Sequence, residues 1–176
     1  KSHAEKFGTK IVYDSITSID FSKRNIELFS EEFSYVCESL IIATGASAKY
    51  LGLQSEKEYL GKGVSACATC DGFFFKGRIV AVVGGGNTAV EEALYLSNIA
   101  DKVILIHRRD KLRAEKILVN KLLDKQAAGN IEILWQHELV EVFGNGQLVK
   151  GINVLDATKN SLKRIDLDGV FIAIGH

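Results

Sequence analysis

One stretch constrains this chain more than any other: Gly84-Gly85-Gly86-Asn87-Thr88-Ala89, set directly after the apolar run Ile79 to Val83. A continuous apolar run bounded by turn residues predicts a strand covered on both faces, as in a parallel sheet. Residues 87–99 follow with Ala89, Ala93 and Leu96 on one face, which predicts a helix. Strand, Gly-x-Gly-x-x-Ala and helix together are the context in which such glycines form a dinucleotide-binding turn. Gly84 permits the tight turn, Gly86 lets the backbone approach a pyrophosphate, and Ala89 lets helix and strand pack closely. The free N–H groups and the positive end of the helix dipole then face the phosphates. Gly84, Gly86, Asn87, Thr88 and Ala89 are therefore candidate cofactor-binding residues. The alternative is a glycine-rich turn that binds nothing.

The end of the next strand selects the dinucleotide. A site for NAD places a carboxylate there to hold the ribose 2′-hydroxyl. Here the strand Val103 to Ile106 runs into His107-Arg108-Arg109-Asp110, with Arg113 one helical turn later. Guanidiniums form charge-assisted, often bidentate bonds to phosphate oxygens. His107, Arg108, Arg109 and Arg113 are thus expected to hold a 2′-phosphate, and NADPH is expected to be preferred over NADH. The competing possibility is a solvated basic turn paired with Asp110 and Glu115.

Around this unit the pattern alternates. Ala114, Ile117, Leu118 and Leu122 mark a second helix ended by Gly129, and Ile131 to Trp135 a third strand. Leu139 to Phe143 and Leu148 to Leu155 read as a hairpin turned at Gly144-Asn145-Gly146, and Val170 to Ile174 as a last strand. Upstream, residues 10–43 read as strands, closed by a buried-looking strand Leu40 to Ala43 before Thr44-Gly45. The fold class expected is α/β: a doubly wound, Rossmann-like nucleotide-binding domain with an inserted β-meander, plus a β-rich piece of a second domain. The boundary falls near residue 50, giving residues 1–49 and 50–176.

A second motif, Cys67-Ala68-Thr69-Cys70-Asp71, lies just before the glycine turn. Two intervening residues bring the sulfurs within bonding reach, so the pair can exchange two electrons as dithiol and disulfide. A helix start or a basic neighbour would raise the thiolate fraction. Asp71 is the candidate acid and base for the protons. Phe73, Phe74 and Phe75 either shield this site or belong to the core. Zinc would need four ligands, and no second cysteine pair or nearby histidine completes the set. Inert structural cysteines are the other alternative. Cys37, unpaired in sequence before an apolar run, reads as a buried structural thiol.

Cys67 to Phe74, Gly84 to Ala93 and His107 to Asp110 together closely resemble the bacterial thioredoxin reductases of low molecular weight. Ile42-Ala43-Thr44-Gly45 and Ala173-Ile174-Gly175-His176 extend that resemblance through the whole chain. It implies that NADPH reduces FAD, the flavin reduces the disulfide of Cys67 and Cys70, and the dithiol reduces thioredoxin. Cys70 would lie nearer the flavin, Cys67 would attack thioredoxin, and Asp71 would be the acid. The resemblance further implies a homodimer whose domains rotate about hinges near residues 50 and 176. Residues 1–49 would be the later part of an FAD-binding domain and 50–176 an NADPH-binding domain carrying the cysteine pair. The family's first glycine-rich turn is absent, and a chain that begins Lys-Ser-His without any methionine is expected to be an internal fragment, poor at binding FAD and unable to complete the relay.

Two other functions stay open. One is the flavoprotein disulfide reductase of an alkyl hydroperoxide peroxidase system, although its members usually carry Cys-Pro-His-Cys and this chain has no proline. The other is a non-catalytic nucleotide-binding module. A formal net charge of zero gives no electrostatic case for nucleic acid or an anionic membrane, and the apolar runs are too short for a span. Three cysteines with one close pair suit a reducing compartment, so the cytoplasm is expected.

Overall fold

In the computed structural model, which describes residues 2–175, the chain divides into two units, Lys1–Gly45 and Ala46–His176. His176, one of the residues that carry the resemblance, lies outside the described residues.

The first unit holds a short helix α1 (Ser2–Lys6) and three strands, β1 (Ser18–Asp20), β2 (Ile26–Phe29) and β3 (Ser34–Cys37). They form an antiparallel sheet in the order β1-β2-β3. Two expectations are corrected here. Leu40 to Ala43 forms no ladder, and Ile41 is 90% exposed, because no strand among the described residues lies beside it. Cys37 ends β3 and is half-buried rather than buried, its strand having only one pairing neighbour.

The second unit begins with α2 (Gln54–Glu58), the two-residue strand β4 (Val64–Ser65) and the short helix α3 (Ala68–Asp71). The nucleotide-binding alternation follows: β5 (Ile79–Gly84), α4 (Asn87–Leu96), β6 (Lys102–His107), α5 (Lys116–Ala127) and β7 (Ile131–Trp135). Then come β8 (His137–Gly144), β9 (Val149–Asp156), β10 (Ser161–Asp166) and the returning strand β11 (Gly169–Ala173). The parallel sheet runs β4-β11-β5-β6-β7, so the last strand in sequence is an interior strand, paired on both sides. That position explains the unbroken burial of β11 from Gly169 to Ala173. Strands β8, β9 and β10 form the expected meander as a separate antiparallel sheet.

The parallel sheet has a core on each face. One face packs Val80, Val82, Val103, Leu105 and Phe171 against Ala89, Val90, Ala93 and Leu96 of α4. The other packs Ala81, Ile104, Ile106 and Ile172 against Val142, Ile152 and Val154 of the meander. Alternation along each strand thus serves two apolar layers, and the strands read as continuous runs for that reason. β10 escaped prediction because its residues are mostly exposed and charged; its pairing with β9 replaces the missing hydrophobic signal. No helix among the described residues is long and apolar enough to cross a membrane.

Candidate active site

At the carboxyl end of β5 the chain turns through Gly84 and Gly85 into α4, with Gly86 as the residue before the helix. A side chain at Gly84 would overlap the Ala173 carbonyl oxygen and reach within 2.7 Å of the Ala89 Cβ. Close approach of β11 and the fully buried Ala89 therefore requires glycine there. Gly85 is glycine for a reason that motif spacing did not reveal: the His107 ring occupies the place of its side chain. Gly86 faces open space, with nothing within 4 Å of a hypothetical Cβ. No side chain caps α4, so its first-turn N–H groups are left for an incoming acceptor.

These glycines form one wall of a cavity of about 500 Å³. Thr88, His107, Arg108, Arg109 and Arg113 line it as well, so the two sequence motifs meet in one place. The arginine ion pairs among the described residues belong to Arg78 and Arg164. Arg108, Arg109 and Arg113 therefore face the cavity without a carboxylate partner among the described residues, and the pairing with Asp110 and Glu115 that a bland basic turn would show is not formed. Cationic groups held unpaired beside open helix N–H groups fit a phosphorylated dinucleotide.

Two of the predicted residues brace the loop that carries the arginines. The buried His107 ring places Nε2 2.9 Å from the Lys111 carbonyl oxygen, to which it donates, and its edge meets Trp135 at 6.2 Å between ring centres. Asn87 does not line the cavity: its Oδ1 accepts from the Glu115 N–H at 2.8 Å and its Nδ2 donates to Glu115 Oε1 at 3.3 Å. With the Arg113 N–H donating to the Gly85 carbonyl at 2.7 Å, this bridge ties the arginine loop to the glycine turn. His137 and Glu138, at the start of β8, line the same cavity and were not anticipated. Only the route of the chain from β7 into the meander brings them there.

The cysteine pair lies elsewhere in the same unit. Cys67 and Cys70 are joined as a disulfide with Cα atoms 5.3 Å apart. Cys67 is the residue before α3, and its sulfur accepts from the Cys70 N–H at 3.2 Å. The Ala68 N–H donates to Glu92 Oε1 of α4 at 3.2 Å, and Gly72 gives α3 room against Leu96 and Tyr95. Cys67 is half-buried and Cys70 exposed. Asp71, half-buried, accepts from the Ser65 hydroxyl at 2.6 Å. The three phenylalanines separate: Phe75 packs edge-on against Phe171 at 5.4 Å, while Phe73 and Phe74 are 73% and 78% exposed. A second cavity of about 490 Å³ includes Ser65, Asp71 and Phe74, and shares no lining residue with the first. Neither cysteine lines the glycine-walled cavity.

The sequence pattern of the pyridine nucleotide-disulphide oxidoreductases matches residues 2–176. The thioredoxin reductase of Vibrio cholerae serotype O1 is 57% identical over 176 residues, a match covering 100% of this chain and 55% of the relative. The glucosaminate ammonia-lyase of Pseudomonas fluorescens is 55% identical, with the same coverage of 100% and 55%. Among solved structures, the thioredoxin reductase from Giardia duodenalis shares 38% identity and superimposes with a TM-score of 0.83, over 99% of this chain and 56% of that one. The chain spans about half the length of the relatives it matches. Its α/β fold, its glycine turn and its adjacent cysteine pair have a common explanation: the chain belongs to the pyridine nucleotide-disulphide oxidoreductase family.

Proposed function

We propose that this chain is the part of an NADPH-dependent thioredoxin reductase that carries the nucleotide site and the redox-active cysteines. The observation that carries the proposal is a disulfide with an adjacent carboxylate in the same unit as a glycine-walled cavity bearing unpaired arginines. The open N–H groups of α4 suit the pyrophosphate, and Arg108, Arg109 and Arg113 suit a 2′-phosphate. A reduced nicotinamide supplies hydride when bound. FAD is the intermediary that the resemblance implies. Among the described residues no second glycine-rich strand-turn-helix offers it a pyrophosphate site. Residues 1–49 are assigned to an FAD-binding domain and 50–176 to the NADPH-binding domain. The whole protein is proposed to be a cytoplasmic homodimer.

The chemistry of the chain's own residues is thiol–disulfide exchange. The Cys67 thiolate attacks a sulfur of the partner disulfide; a mixed disulfide forms, the partner S–S bond breaks, and its departing thiolate takes a proton. The Cys70 thiolate then attacks the Cys67 sulfur, restoring the Cys67–Cys70 bond and releasing the second partner thiol. Two electrons and two protons pass from dithiol to partner. Asp71 receives a proton from a cysteine thiol and returns it to a departing thiolate. Exposure alone would rank Cys70 ahead of Cys67 as the attacking sulfur. The Cys70 N–H aimed at the Cys67 sulfur favours the thiolate on Cys67, in line with the resemblance. An ammonia-lyase reaction, the one named for the Pseudomonas relative, makes no use of a surface disulfide.

The test is a single turnover. The chain, with Cys37→Ser to remove the third thiol, is reduced with dithiothreitol, desalted and mixed with oxidised thioredoxin. Thioredoxin is expected to gain a dithiol as Cys67 and Cys70 become a disulfide, and Cys67→Ser or Cys70→Ser to abolish the net transfer. Thioredoxin that stays oxidised beside a reactive dithiol overturns the proposal.

A further inference from the structure

We infer that Ser65 is a positioning residue for proton transfer at the cysteine pair, holding Asp71 through its hydroxyl while anchoring the backbone of Cys67. The inference rests on Asp71 being the proton carrier proposed above. Ser65 is buried, at 8% exposure, and belongs to β4, the edge strand of the parallel sheet, where it is in register with the fully buried Phe171 of β11. Its backbone is thereby tied into the sheet. Its hydroxyl donates to Asp71 Oδ2 at 2.6 Å and accepts from the Cys67 N–H at 3.1 Å. One oxygen atom thus ties the proton carrier and the first cysteine to the sheet.

The separation from Asp71 matches a charge-assisted bond from a hydroxyl to a carboxylate. A serine has one hydroxyl hydrogen and two lone pairs. With Asp71 ionised, that hydrogen goes to Oδ2, leaving Oδ1 for proton traffic. With Asp71 protonated, the carboxylic acid can donate to the Ser65 oxygen, and the hydroxyl hydrogen has a second acceptor in the Cys67 carbonyl oxygen at 3.5 Å. Both protonation states of Asp71 therefore keep their hydrogen bonds without movement of the backbone. Alanine at this position removes the tether from Asp71 and from Cys67 together; threonine keeps the hydroxyl.

The experiment follows the reaction of the dithiothreitol-reduced chain, in the Cys37→Ser background, with glutathione disulfide in single turnover. Ser65→Ala is expected to slow oxidation of the dithiol by about tenfold, the worth of one strong hydrogen bond. Ser65→Thr is expected to restore most of the rate. Asp71→Asn is expected to slow it by on the order of a hundredfold, and Ser65→Ala added to Asp71→Asn to cost clearly less than its tenfold in the parent, since only the Cys67 tether is then left to lose. A Ser65→Ala effect of the same size in both backgrounds, or no rescue by threonine, overturns the inference and leaves Ser65 as packing only. An unimpaired Asp71→Asn chain overturns the role of Asp71 itself and the inference with it. A normal Ser65→Ala rate beside an impaired Asp71→Asn chain overturns the role of Ser65 alone. Circular dichroism of each variant separates any loss of fold from a loss of rate.

Discussion

Gly85 stands at a variable position of its motif, yet the His107 ring leaves room there for nothing but hydrogen. The same ring fixes the start of the loop that carries Arg108, Arg109 and Arg113, and Asn87 fixes its end through Glu115. Spacing singled out Gly84, Gly86 and the arginines because their signal is local: a turn, an open helix end and a cationic loop. It did not show that Asn87 bonds to Glu115 instead of lining the cavity, or that the His107 ring fills the space beside Gly85, because those partners are distant in sequence. Replacement of Arg108 and Arg109 by glutamine is expected to weaken NADPH binding by about a hundredfold, two charge-assisted bonds lost. NADH, which lacks the 2′-phosphate, is expected to bind within about threefold of its original affinity. Isothermal titration with each nucleotide checks this. An unchanged ratio of the two affinities places the arginines outside the site.

At the scale of elements, the apolar strands β5, β6, β7 and β11 were legible as unbroken runs, since a parallel sheet with a core on each face leaves no polar side. Helices α4 and α5 were legible by period. Strand β10 was not, being held by its ladder to β9 rather than by burial. Neither was the short β4, which earns its place at the sheet edge only by pairing with β11. The turn between β9 and β10 carries its own electrostatic signature. Asp156 Oδ1 accepts from the Thr158 hydroxyl at 2.6 Å, from the Thr158 N–H at 2.9 Å and from the Lys159 N–H at 3.3 Å. The Thr158 hydroxyl is the largest cause holding this carboxyl below its ordinary range, with the backbone donors and nearby His137 adding to it. A depressed folded-state value means that the unfolded chain takes up the proton first as pH falls, so the stability from this turn is present above about pH 4 and is lost below it. Asp156→Asn is expected to flatten the fall of the urea midpoint below about pH 4 while leaving the chain folded at neutral pH. An identical acid limb in the variant contradicts this role.

For the molecule as a whole, the glycine-walled cavity and the cysteine pair occupy one unit, and neither cysteine lines that cavity. The closeness of the two motifs in sequence suggested a joint redox role; in the structure α4 carries the glycine turn at its start and holds α3 through Glu92. The unpaired run Leu40 to Ala43 was misread because an apolar sequence pattern specifies a covered strand but not the neighbour that covers it. Delivery of electrons from Cys67 and Cys70 to thioredoxin, with Cys67 attacking, is tested most directly by trapping the exchange: the reduced Cys70→Ser chain, in the Cys37→Ser background, is incubated with oxidised thioredoxin and the product mapped by mass spectrometry. A one-to-one covalent complex joined through Cys67, absent when the dithiol is left intact to resolve it, is the predicted result. No complex from Cys70→Ser, with one formed instead by Cys67→Ser through Cys70, contradicts it.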